Sequence, residues 1–179
     1  MDASRYSVVE TLRGGRRAEI RALAPSDRAG LLAAVDNMSE DARYRRFFAP
    51  KRGFSEKEIE YFLNVDFVRH VALVAVIDGV IVGGARYIES EPGRAEVAFA
   101  VDDAHQGLGI ASALMRHLVR LAGAGGVRQL IAEVLPENAP MLRVFARCGL
   151  ATNVRREPDV LHITLDLPGS DAGRDAANR

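Results

Sequence analysis

The chain has 179 residues, enough for one domain, and its 24 lysines and arginines balance 24 aspartates and glutamates. Zero net charge removes the electrostatic case for a nucleic-acid or anionic-membrane partner. Apolar residues make up 48% and a single cysteine, Cys148, excludes an internal disulfide and suits a reducing compartment; with no run of signal-peptide or transmembrane character, the expectation is a cytoplasmic protein.

Residues 1–15, through Gly14-Gly15, read as an N-terminal tail or weak hairpin, and the domain proper is expected over 16–167. Ala18 to Leu23 is a strand, after which Pro25-Ser26-Asp27 opens a helix whose apolar face is Leu31, Leu32 and Val35, with Ser26 or Asp27 as cap. Ser39-Glu40-Asp41 opens a second helix through Arg46. Ser55-Glu56-Lys57-Glu58 opens a third, with Ile59, Phe62 and Leu63 on one face. A meander follows: Val71 to Ile77, an Asp78-Gly79 turn, Val80 to Ile88, a second turn at 89–93, then Arg94 to Val101. A helix from Leu108 to about Ala122 ends in Gly123–Gly126; Val127 to Val134 is a strand, and Asn138 to Cys148 is a helix stopped by Gly149. Strands at Ala151–Arg156 and Leu161–Leu167 close the sheet, and the Gly/Asp/Ala-rich 168–179 reads as a disordered tail. This order predicts a single α/β domain: a mixed, mostly antiparallel central sheet of six to seven strands flanked by helices.

The most telling stretch is Gln106-Gly107-Leu108-Gly109-Ile110-Ala111-Ser112, between the strand ending at Val101 and a helix. Backbone N–H groups at a helix N-terminus suit a pyrophosphate, and glycines let that backbone approach closely. No lysine follows, so the charge offered is mostly backbone, and a P-loop is excluded because Ile110 and Ala111 follow Gly109. A dinucleotide fingerprint fits poorly: Ser112 replaces the third glycine and five residues separate Val101 from Gly107. The bland reading is a tight turn that begins a helix.

Gln106–Ala111 resembles the Q/R-x-x-G-x-G/A acetyl-CoA loop of the GNAT N-acetyltransferase superfamily. About 30 residues on, Asn138 to Leu150 (NAPMLRVFARCGL) is similar to that family's second motif, in the same order and spacing. The likeness covers roughly residues 18–167, and Arg43–Phe48 with Asn64-Val65-Asp66 resembles the catalytic domain of bacterial protein lysine acetyltransferases. The resemblance implies a GNAT-like domain whose sheet splays open beside its central strand to make the cofactor cleft. It implies an acetyl-CoA-dependent N-acetyltransferase with CoA as product and no metal. The acceptor would be a primary amine, a protein lysine or a small amine, and the protein a monomer or homodimer. The cofactor set it implies is Phe99, Ala100, Val101, Gln106, Gly107, Leu108, Gly109, Ile110, Ala111, Ser112, Asn138 and Phe145. A non-catalytic acyl-CoA sensor is the rival from another class.

Amine acylation needs a neutral amine, and a lysine near pH 7.5 is neutral only about one part in a thousand, about 4 kcal/mol uphill. Glu96 is the candidate base: it shares a strand face with Ala98 and Ala100, which leave space, while Val97, Phe99 and Val101 face the other way. Its bland alternative is a solvated edge residue paired with Arg94 or Arg86. A backbone N–H near Val101 is the expected oxyanion donor. Phe145 stands where many members of the superfamily carry a thiolate-protonating tyrosine, so the leaving thiolate must depart without that acid. Cys148 reads as a small core residue. The four histidines, 70, 105, 117 and 162, have no metal-ligand spacing: His70 and His117 read as structural, His105 as solvent-facing. Family analogy puts the acceptor between the early helices and the hairpin loops, where Arg43–Phe48 and Asn64–Phe67 would line it and Glu89, Glu91, Asp102 and Asp103 either attract a cation or keep turns soluble.

Overall fold

A computed structural model describes residues 2–47 and 54–169. A hairpin of β1 (Ser7–Thr11) and β2 (Arg17–Ala22) leads into helices α1 (Arg28–Asp36), α2 (Glu40–Phe47) and α3 (Glu56–Leu63). The meander β3 (His70–Ile77), β4 (Val80–Glu91) and β5 (Arg94–Val101) follows. After it come α4 (Ile110–Ala124), β6 (Gln129–Val134), α5 (Ala139–Ala146), β7 (Ala151–Arg156) and β8 (Leu161–Asp166). The sheet has eight strands in the order β1-β2-β3-β4-β5-β6-β8-β7. Every neighbouring pair is antiparallel except β5 and β6.

The α/β layout agrees with the sequence reading, with one strand more than expected. The extra strand is β1, in the segment read as a tail or weak hairpin, and of the two it takes the hairpin. Its alternation is short and half polar, but Tyr6 and Leu12 beside it are buried at 9% and 7% exposure, and all five of its residues pair with β2. Residues 3–15 therefore belong to the folded body. Side chains tie them to α4: the Tyr6 hydroxyl meets His117 Nδ1, His117 Nε2 lies 2.7 Å from a Glu10 carboxylate oxygen, and Arg116 donates to the other at 2.6 Å. Of the expected C-terminal tail, residues 170–179 lie outside the described residues.

Alternation divides the core. On one face α4 buries Ala113, Leu114, Leu118 and Leu121 against Ile20, Val71, Leu73 and Tyr87. Cutting such a leucine to alanine costs about 2–5 kcal/mol. On the other face Ala34 and Leu63 pack on Leu23, Ala72, Val74 and Ile81. The Asp78-Gly79 turn has positive φ at both residues (51° and 79°), the geometry a two-residue hairpin requires. Ser55 caps α3 in a reciprocal box with Glu58, as its spacing predicts.

Asp27 departs from expectation. Pro25–Asp27 forms a 3-10 turn, and the Asp27 carboxylate caps nothing on α1. Instead Arg21 grips it with two hydrogen bonds of 2.7 and 2.8 Å, and the Ala24 N–H adds a third at 2.8 Å. The Arg21 hydrogen bonds hold the Asp27 carboxyl below the usual range despite its burial.

Candidate active site

β5 and β6 pair over three residues only, Arg94–Glu96 against Gln129–Ile131. Beyond Glu96 the strands part, and the gap opens into a cleft of about 740 Å³. Glu96, Phe99, Ala100, Val101, Gln106, Gly107, Gly109, Ile110, Ala111, Ser112, Asn138 and Phe145 all line it. Leu108 does not: its side chain packs on the core while its carbonyl faces the β1–β2 turn.

The floor is backbone. Asp102 N–H donates to Val82 O at 2.9 Å, which sets the alternation of the β4–β5 ladder. By that alternation the N–H groups of Phe99 and Val101 turn away from β4, toward the splay. The loop beyond is braced by its own side chains: Asp102 accepts from Ala104 N–H at 3.1 Å and meets His105 Nδ1 at 3.1 Å, and Gln106 donates to Asp103 at 2.8 Å. His105 is therefore half-buried and engaged, not solvent-facing. Gly107 and Gly109 have φ of 81° and 88°, and Gly109 starts α4 without a side-chain cap, leaving that helix end open to an anion.

Sequence reasoning placed Arg45 and Arg46 beside the acceptor but missed Arg13 as a residue of the cleft. Arg13, in the turn between β1 and β2, donates its backbone N–H to Leu108 O at 3.1 Å. Its side chain reaches 4.0 Å, at Nε, from where a Cβ on Gly109 would stand. Arg45, Arg46, Arg143 and Arg147 line the same cleft. The site thus carries substantial side-chain charge, where the sequence suggested mostly backbone. The five lie on three separate stretches of chain that only tertiary folding brings together.

Glu96 stands exposed at the point of the splay, with Ile88 and Ile131 as its cross-strand neighbours. Neither Arg94, which reaches Glu91 at 3.9 Å, nor Arg86 forms an ion pair with it. Phe145, 2% exposed, meets Phe99 edge-on at 5.9 Å. Asn138 Oδ1 accepts from Met141 N–H at 3.3 Å and so caps α5, and Cys148 Sγ donates to Phe145 O at 3.0 Å. Among the described residues no group of three or more His, Cys, Asp or Glu is placed to hold a metal ion.

The opposite wall comes from the early helices. Phe47, Phe54 and Phe62 form an edge-on cluster with ring centroids 5.1 to 6.4 Å apart, while Tyr44 points out at 43% exposure and Phe48 lies outside the described residues. Arg46 stacks on Phe47 at 4.8 Å and Arg86 on Phe62 at 4.7 Å. Arg86 also donates to Phe62 O at 3.3 Å and to His70 Nε2 at 3.0 Å. Burial pushes both guanidiniums down to about 10, with Arg46 adding repulsion at Arg86. Burial and then Arg86 push His70 down too, which suits its role as acceptor. Asp66 organises a turn, its Oδ1 accepting three backbone N–H groups at 2.8 Å each. The four acids offered as attraction for a cation are engaged elsewhere: Glu89 accepts from Gly93 N–H at 2.8 Å, Glu91 meets Arg94, Asp103 accepts from Ser39 N–H at 2.7 Å, and Asp102 braces the loop.

A splayed sheet with a glycine loop leading into α4 defines an acetyltransferase class, and comparison with known proteins agrees. The profile of the Acetyltransferase (GNAT) family matches residues 35–150, and the chain belongs to that family: it is a GNAT acetyltransferase. It is 32% identical to Acetyltransferase PA5475 of Pseudomonas aeruginosa, over 84% of this chain and 83% of that one. It is also 32% identical to Acetyltransferase Pat of Mycolicibacterium smegmatis, over 89% of this chain but only 49% of that protein, so the chain spans about half of Pat. Among solved structures, the GNAT domain of S. lividans PAT superposes with a TM-score of 0.85 at 36% identity, covering 90% of this chain and 97% of that one. The fold is shared with yncA from Salmonella typhimurium, solved with its cofactor acetyl-CoA, at TM-score 0.73 and 18% identity over 87% of this chain and 96% of that one.

Proposed function

We propose that this protein moves an acetyl group from acetyl-CoA directly to a primary amine, with a protein lysine favoured as acceptor. The observation that carries the reading is the parting of β5 and β6 just beyond Glu96, with the Gly107–Gly109 loop at one end of the gap. Acetyl-CoA fits the residues present. Backbone N–H groups of Gly107 to Ser112 and the Arg13 guanidinium suit its pyrophosphate. The unpaired inner edge of β5 suits the amides of its arm. When bound it supplies an acyl thioester, whose thiolate is a competent leaving group without a protein acid.

The chain's own residues do the rest. Glu96, exposed at the mouth of the splay, accepts the proton of the incoming ammonium, directly or through one water, and frees the attacking pair. The N–H of Val101 donates to the oxygen on which charge develops. Phe145 offers a hydrophobic wall where a tyrosine would offer a proton. The lysine preference rests on the Pat relatives and on the Arg43–Phe47 helix, which borders the cleft.

Glu96→Gln tests the reading. We expect kcat to fall by about 10²- to 10⁴-fold while acetyl-CoA affinity, measured by calorimetry, stays within about twofold. Equal turnover in both forms removes Glu96 as base. No turnover in the wild type on any amine favours the sensor reading.

A further inference from the structure

We propose that Arg46 and Arg86 form a carboxylate-binding subsite on the acceptor side of the cleft, so that the acceptor presents a carboxylate close in space to its reacting amine. The inference deepens the functional reading above and depends on it only in assigning the subsite to the acceptor.

Arg86 on β4 lies opposite Ala98 on β5, and cross-strand partners share a face. Ala98 is two residues from Glu96 and on the same side of the strand, a step of about 7 Å. Glu96 and Arg86 are thus diagonal neighbours on one face of the sheet, with backbones about 7–8 Å apart. Arg46 comes from α2 on that same face, and a pocket of about 80 Å³ joins both arginines to Ala98 and Ala100. At about 30 Å³ for each water-sized group, it has room for two or three heavy atoms.

Among the described residues neither arginine has a carboxylate within 4 Å, although each is half-buried. The contrast lies in the same molecule: Arg21, a structural arginine, holds Asp27 with two hydrogen bonds. Arg46 and Arg86 instead rest on the faces of Phe47 and Phe62, which orient a guanidinium without neutralising it. Two like charges on one half-buried wall are costly, and Arg46 helps push the Arg86 guanidinium below its ordinary pKa. A carboxylate between them would accept charge-assisted hydrogen bonds from both. Of the acids near this wall, Glu89, Asp102 and Asp103 each accept a backbone N–H.

The test has a binding arm and a kinetic arm, both on the full chain. In the first, millimolar malonate is added during thermal unfolding, against sodium chloride of equal ionic strength. Malonate should raise the wild-type Tm beyond the salt control, as any ligand of the folded state does. Arg46→Met should melt at or above the wild type, because one uncompensated charge has left the interior, yet lose the malonate response. A wild type indifferent to malonate, or an Arg46→Met protein that keeps the response, overturns the proposal.

In the second arm acceptors are offered in pairs: lysine peptides flanked by glutamate or by glutamine, and a free α-amino acid or its amide. The carboxylate member should be favoured by about tenfold or more in KM in one pair, and lose its lead in Arg46→Met and Arg86→Gln, with Arg86→Lys restoring part of it. The pair that responds identifies the source of the carboxylate, and equal use within both pairs overturns the proposal. A protein that transfers no acetyl group defeats the activity reading and leaves the malonate arm to decide the subsite. Transfer without any malonate response defeats the subsite alone.

Discussion

The two walls of the cleft are built on opposite plans. The wall at α4 is local and made of backbone: within eleven residues, 102–112, the chain leaves β5, turns through two left-handed glycines and presents a bare helix end. The wall at the early helices is non-local and made of side chains: Arg46 from α2, Phe62 from α3, His70 from β3 and Arg86 from β4 meet there. A backbone wall recognises whatever carries phosphates and is the same for every acceptor. A wall of side chains can change its ligand by single substitutions, and the proposed acceptor subsite lies on that wall.

The comparison can be broken from the backbone side first. Gly109→Glu puts a carboxylate where phosphate is expected and a side chain on a backbone with φ of 88°. We expect acetyl-CoA to bind about a hundredfold or more weakly, about 3 kcal/mol. Unchanged affinity by calorimetry would mean that the phosphates lie elsewhere.

Arg13→Ala is the next largest. It removes one long-range cation from an otherwise local wall, and acetyl-CoA affinity should fall about tenfold, with Arg13→Lys intermediate. The wild-type affinity should also depend more steeply on salt than that of Arg13→Ala, since one charge contact is gone. Identical titrations would return the wall to backbone alone.

The smallest effect concerns the hairpin that carries Arg13. Burial would raise Glu10, but its hydrogen bonds to His117 and Arg116 and their charges outweigh this and hold it below the usual carboxylate range. The folded form therefore favours the ionised carboxylate. This stabilisation is whole above the ordinary glutamate pKa and fades as pH falls through the lower folded value. Losing the charged hydrogen bond costs about 1 kcal/mol, so the wild type should lose that much relative to Glu10→Gln on acidification. Parallel pH profiles of urea unfolding for the two proteins would exclude Glu10 as the clamp.

What could be read from the sequence follows the same division. Gln106–Ala111 and Asn138–Leu150 were legible because their geometry is written in consecutive residues: glycines where φ is positive, an asparagine where a helix needs a cap. The Ser55 box and the Asp78-Gly79 turn were legible for the same reason. Arg13 was not, because the turn that holds it docks on a loop more than ninety positions later, through one backbone hydrogen bond and the Tyr6–His117–Glu10 contacts. β1 was left between a tail and a weak hairpin because its five residues alternate too briefly, although the burial of Tyr6 and Leu12 fastens it. Asp27 looked like a cap because the partner it prefers, Arg21, lies on a strand. Arg86 was weighed only as a companion of Glu96; strand spacing says which face a residue takes, and says nothing of the phenylalanine beneath it.

A sheet that parts in the middle has four edges instead of two. The outer pair, β1 and β7, are ordinary borders. The inner pair, β5 beyond Glu96 and β6 beyond Ile131, face each other across a gap too wide for their peptide groups to bond. Those groups must be answered by water or by an elongated guest with amides of its own. The protein is therefore a sheet with a missing rung, most complete when working: its resistance to heat and its reluctance to aggregate should both follow how much of the gap is filled.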